Sequence, residues 1–191
     1  MAASEDTRAP QLLFVNPTPH VPNSHLPVLF YRSVFENVNE EAIRTAIEKH
    51  GWMKGGQWGT YKVPHFHTTT HECYAVLKGK CSYGLGRSPL DQGQGEDKGT
   101  GKVIQITQGD VFVLPAGVSH AAIESEDEFE YAGFYPEGSV EYDMNFCEGS
   151  PGETEKKAAN SAKVPVPKTD PVYGESGPLP GIWSEVDRNR G

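Results

Sequence analysis

Residues 59–79 read GTYKVPHFHTTTHECYAVLKG, and residues 109–120 read GDVFVLPAGVSH. In an extended strand, side chains two apart point to the same face, roughly 7 Å apart along the chain. His65 and His67 can therefore converge on one ion. Thr68 to Thr70 can turn the chain, which brings Glu72 alongside on the next strand. His120 follows a proline-glycine turn that can aim it back towards them. Three neutral nitrogens and one carboxylate suit a divalent transition metal such as Fe, Mn, Ni, Co or Zn. On a six-coordinate ion this set leaves positions open for substrate, water or dioxygen. Closed structural zinc sites usually draw on cysteines, and Cys73, Cys81 and Cys147 lack that spacing. His71 has the opposite parity to Glu72, so it is expected to face away from the ion. Otherwise it takes the place of Glu72 or sits behind a ligand.

Outward from this stretch, residues 59–144 break into short β-type runs separated by Gly, Pro or polar turns: YKVPHFH, ECYAVLKG, KCSYGLG, KVIQITQG, DVFVLPAG, HAAIES and FEYAGFYP. Seven such runs predict a β-sandwich or barrel. The interval 86–101, GRSPLDQGQGEDKGTG, reads as a polar hairpin loop or insertion. VLFYRSVF at 28–35 is a further strand, and Leu12–Val15 is a possible one. NEEAIRTAIEKH at 39–50 is the one convincing helix, capped by Asn39 and ended at Gly51, with Ala42, Ile43, Ala46 and Ile47 as its apolar stripe. Domain organisation follows: an irregular N-terminal arm over 1–27, a β-domain over 28–147, and a linker with a C-terminal arm over 148–191. Residues 148–163 read as solvated linker. Val172, Tyr173, Leu179, Ile182 and Trp183 are apolar enough to dock the last part of the chain.

Composition excludes several classes. The 191 residues suit one domain. Glycine (21) and proline (15) form about a fifth of the chain, which argues against a helix bundle. A net charge of -9 would repel nucleic acid and an anionic membrane. No apolar run approaches the roughly 20 residues of a membrane span. The start, MAASEDTRAP, lacks the pattern of a signal peptide, and three cysteines fit free thiols. A cytoplasmic location is the expectation.

The spacing Gly59-x5-His65-x-His67-x4-Glu72-x6-Gly79, with Gly109-x5-Pro115-x-Gly117-x2-His120, resembles the two motifs of the cupin superfamily. One position departs, Glu124 standing where the family often has Asn. The chain further resembles the small single-domain cupins called YjlB-like, through Leu26–Tyr31, Trp58–Glu72, Leu114–His120 and Asp170–Trp183. The resemblance implies an all-β jelly roll with one N-terminal helix and a C-terminal arm. It also implies one divalent metal at His65, His67, Glu72 and His120. Small cupins usually pair, so a homodimer is expected. Cupins include dioxygenases, decarboxylases, isomerases, epimerases, ligand binders and storage proteins, so the fold does not fix the function. An enzyme acting on a small organic acid or a phenolic or polyketide-type substrate, by dioxygenase or Lewis-acid isomerase or lyase chemistry, is one expectation. A non-catalytic small-molecule binder or sensor is the other. Tyr61 and Val63 share parity with His65, and Tyr74 and Val76 with Glu72, so these should face the cavity. Tyr61, Tyr74 and Glu124 are the catalytic candidates. For Glu124 three placements stay open: behind a ligand, as general base, or turned outward by a bulge.

Overall fold

The computed structural model describes residues 9–36, 39–91 and 101–189. Residues 92–100, the middle of the polar loop at 86–101, lie outside the described part, as do residues 1–8.

Among the described residues nine strands form one curled antiparallel sheet: β1 (Gln11–Leu13), β2 (Val28–Tyr31), β3 (Trp52–Trp58), β4 (His65–Phe66), β5 (Glu72–Leu85), β6 (Lys102–Thr107), β7 (Val111–Leu114), β8 (His120–Pro136) and β9 (Asn145–Phe146). Three helices among the described residues accompany it: α1 (Glu40–Glu48), α2 (Pro151–Ser161) and α3 (Leu179–Arg188). The order is β1-β2-β7-β5-β8-β4-β9, with β3 also on β8 and β6 also on β5. This is the jelly roll expected, with two helices beyond the one predicted.

β5 and β8 are its spine, paired from Cys73↔Phe134 to Leu85↔His120. Each merges two runs that read as separate strands in the sequence. The join in β5 is Gly79, at φ +65, where an added Cβ would lie 2.4 Å from the Glu126 carbonyl oxygen. This glycine shifts the pleat. Tyr74 and Val76 face the inner core before it, and Cys81, Tyr83 and Leu85 face the same core after it. The inner core also takes Phe30, Phe112, Phe129 and Tyr131.

The convex face buries a second core. Cys73, Ala75 and Leu77 meet Leu29 and Tyr31 of β2, Ile43 and Ile47 of α1, and Leu179 and Trp183 of α3. Every side chain of β2 is buried because one parity faces each core. Asn39 caps α1 through the Ala42 N–H, while Ala42 itself is exposed, so the buried stripe is narrower than predicted. All three cysteines are free and buried.

Three readings are corrected. Residues 148–163 are not a solvated linker: Ser150 and Glu153 form a capping box, Pro151 follows, and α2 runs to Ser161. β3 went unread because Gly55 and Gly56 interrupt it; a Cβ there would lie 2.3 Å from the ring of Tyr135 or Trp58. Residues 61–64 are not strand, and Val63 is exposed rather than facing the cavity.

The last part of the chain docks through a buried aspartate. Asp170 Oδ1 accepts from the N–H groups of Val172 (2.8 Å) and Tyr173 (3.0 Å). Its Oδ2 accepts from the Tyr31 hydroxyl (2.5 Å) and the Leu179 N–H (3.2 Å). The Trp183 indole donates to the Pro27 carbonyl.

Candidate metal centre

The site lies at one end of the inner face, where β4 meets β8. His65 stands directly opposite His120 in the β4–β8 register. His67 follows β4 on the same face, and Glu72 opens β5. The rings of His65 and His120 are 4.3 Å apart, and that of His67 lies 5.4 Å and 5.6 Å from them. One ligating atom from each of the three lies within 4.8 Å of the others, and all three residues are buried.

The orientation of each ring is fixed from behind. His65 Nδ1 lies 2.9 Å from the Val63 carbonyl, His67 Nδ1 2.5 Å from that of Asp143, and His120 Nδ1 3.1 Å from that of Val118. A carbonyl can only accept, so each Nδ1 carries the proton. Each Nε2 then presents a lone pair, the arrangement that metal-ligating histidines adopt. Asp143 is held in turn by the Thr68 N–H and hydroxyl.

Glu72 is 2% exposed and half satisfied. Its Oε1 accepts from the Tyr135 hydroxyl at 2.6 Å. Its Oε2 lies 3.2 Å from His67 Nε2 and 3.4 Å from His120 Nε2 without a well-formed hydrogen bond to any group. A buried carboxylate oxygen facing imidazole lone pairs is what a cation would satisfy. The donor set therefore fits a divalent transition metal. The electrostatics differ from ring to ring. Burial, assisted by neighbouring His120, pushes His65 down to about 3. Burial also opposes charge on His67, but the Glu72 carboxylate overrides it and raises that imidazole. Burial alone would raise Glu72, yet His120 and His67 hold it below the usual carboxylate range.

A cavity of about 220 Å³ opens beside the cluster. Two of the three catalytic candidates reach it. Tyr74 is buried, with its hydroxyl 3.2 Å from His120 Nε2. Tyr61 lines the cavity and meets the His65 ring edge-on at 5.0 Å. The third does not. Glu124 is exposed and is no part of the lining. Tyr83 pairs with Ala122 and Ser82 with Glu124, so Ile123 is an extra residue on β8. That bulge turns Glu124 outward, the third of the placements left open. His71 points away from the cluster: its Nδ1 accepts the Ala116 N–H at 3.0 Å, and its ring packs 4.7 Å from Trp183. Burial pushes it down to about 4. It borders a larger hollow of about 1020 Å³ between the N-terminal arm and α2. Size does not make that hollow the site, since His65, His67 and Glu72 line the smaller one.

Sequence reading missed Tyr135, Tyr142 and Asp143. Tyr135 shares strand parity with Tyr131 and could have been placed in the cavity on that ground. Tyr142 and Asp143 lie past β8 in a strap that no periodicity marks.

Residues 57–139 match the family model described as Cupin. Over 177 residues the chain is 29% identical to the Uncharacterized protein YjlB of Bacillus subtilis (strain 168), across 92% of this chain and 98% of that one. A conserved protein with a double-stranded beta-helix domain from Klebsiella pneumoniae is 12% identical, across 78% of this chain and 86% of its own, with a TM-score of 0.35. An 11S globulin from Wrightia tinctoria, described with an auxin binding site, is 14% identical across 74% of this chain, with a TM-score of 0.38. This chain spans 31% of that globulin's length. Both overlaps are too loose to bear on the site.

Proposed function

We propose that this chain, whose residues 57–139 match the Cupin family model, is a cupin that holds one divalent transition metal at His65, His67, His120 and Glu72 and acts on a small organic molecule there. The observation that carries this is the shared orientation of the three imidazoles. Each Nδ1–H is tied to a backbone carbonyl, which leaves each Nε2 free for an ion, and those of His67 and His120 face the free Oε2 of Glu72. When bound, the ion supplies Lewis-acid or redox chemistry. The protein's own part is to present lone pairs, enclose a ligand and place tyrosine hydroxyls. An imidazole nitrogen cannot both bind an ion and accept a hydrogen bond, so metal on His120 frees the Tyr74 hydroxyl to face the ligand. With Glu124 outside, no second carboxylate among the described residues lines the cavity to serve as base. That absence from the lining favours metal-centred chemistry assisted by Tyr61 and Tyr74 over acid–base catalysis by a carboxylate pair. It also keeps the binder or sensor reading in view.

Metal analysis of the purified protein should give near one equivalent, and His67→Ala or His120→Ala should lose most of it. Full occupancy in both variants would sink the assignment. Oxygen uptake and product formation on a panel of phenols and oxo-acids separate the enzyme from the binder. A homodimer remains part of the proposal. The two ends of the sheet path, β1 and β9, sit beside exposed Phe14 and Phe146, and paired edges would cover them. Among the described residues no helix is long and apolar enough to cross a membrane.

A further inference from the structure

We infer that the ligand of the metal cavity is a flat, single-ring phenol, recognised by aromatic walls, and not an aliphatic di-acid or a sugar. This rests on the metal reading above and narrows it. Four observations carry it.

The first is size. About 220 Å³ is below the usual range for drug-sized ligands and suits one ring with small substituents. The second is the wall. Besides the histidines, Glu72 and Tyr74, the lining is Trp58, Tyr61, Tyr131, Tyr135, Tyr142 and Met144. Tyr135 and Tyr142 stack at 5.1 Å with an interplanar angle of 14°, and Tyr142 also meets the His67 ring at 5.1 Å. Such faces and edges favour another ring, stacked or edge-on, and a thioether beside them does the same.

The third is charge. Among the described residues no lysine or arginine lines this cavity, and its one carboxylate is Glu72. The ion is then the single positive centre on offer. One phenolate or catecholate edge can meet it, whereas the far carboxylate of a di-acid would be buried without a cation. The fourth is hydrogen bonding. The Tyr135 hydroxyl is committed to Glu72, so a wall of tyrosines has fewer free donors than its composition suggests. A sugar, which needs a partner for each hydroxyl, would leave several unmet.

Tyr142 is the specificity-determining residue this assigns. It is 37% exposed at the cavity mouth, so truncating it should leave the fold intact. The test uses the full chain loaded with zinc, with titration calorimetry under nitrogen against catechol, malate and glucose. Catechol should bind at least ten-fold more tightly than malate or glucose. Tyr142→Ala should raise the catechol Kd at least five-fold, with bound zinc per chain unchanged and Tyr142→Phe close to wild type. Malate or glucose binding as tightly as catechol, or an unchanged catechol Kd in Tyr142→Ala, overturns the inference while the zinc content leaves the metal reading standing. A chain that takes up no zinc overturns the metal reading, and this inference with it.

Discussion

Among the described residues Asp110, Asp170 and Glu72 are buried carboxylates, and the last two are treated in opposite ways. Asp170, under α3, is fully enclosed and takes four donors, two on each oxygen. Glu72, at the end of the inner face, is equally hidden but takes one donor on Oε1 and none on Oε2. A buried charge with a complete set of partners is a clamp; its energy is spent on holding the chain. One with an oxygen left over towards the imidazoles of His67 and His120 is a socket, and its incompleteness is what a cation can use. The contrast separates structure from function more sharply than burial or residue type does.

The largest expected effect breaks the clamp. Asp170→Ala strands the Tyr31 hydroxyl and three N–H groups in the outer core, at a cost of at least about 3 kcal/mol. At this chain length that lowers the melting temperature by about 6–12 °C, read by calorimetry, with metal stoichiometry unchanged. Glu72→Gln should do the reverse. The shape and the Tyr135 hydrogen bond survive, so metal-free stability should shift by less than about 1 kcal/mol. The zinc Kd should rise about 100-fold, about 2.8 kcal/mol. Equal losses of stability in the two variants would erase the distinction. The finest test is Tyr135→Phe. It leaves both acids in place and removes only the hydroxyl that aims Glu72, so zinc affinity should fall about ten-fold. An unchanged Kd would mean that the carboxylate is placed by its strand alone.

What could be read in advance divides along physical lines. His65, His67, Glu72 and His120 share a face because strand parity and a tight turn are local, and local geometry is written in local spacing. Tyr135 meets Glu72 only through the β5–β8 pairing, which joins residues far apart in the chain. Glu124 lost its place to a single extra residue on β8, and no alternation pattern announces a bulge. α2 is a different case. The composition of 148–163 reads as linker, while Ser150, Pro151 and Glu153 spell a helix start. β3 was hidden because its glycines answer to the rings of Tyr135 and Trp58, not to the strand they interrupt.

β4 is two residues long, and its register with β8 is the single pair His65↔His120. The sheet is thinnest at the joint where the imidazoles meet. An ion shared by those two side chains would therefore be a cross-link as well as a reagent. It would close the long loop between residues 65 and 120 as a disulfide would, without the oxidation. Chelation would unfasten that seam along with the chemistry.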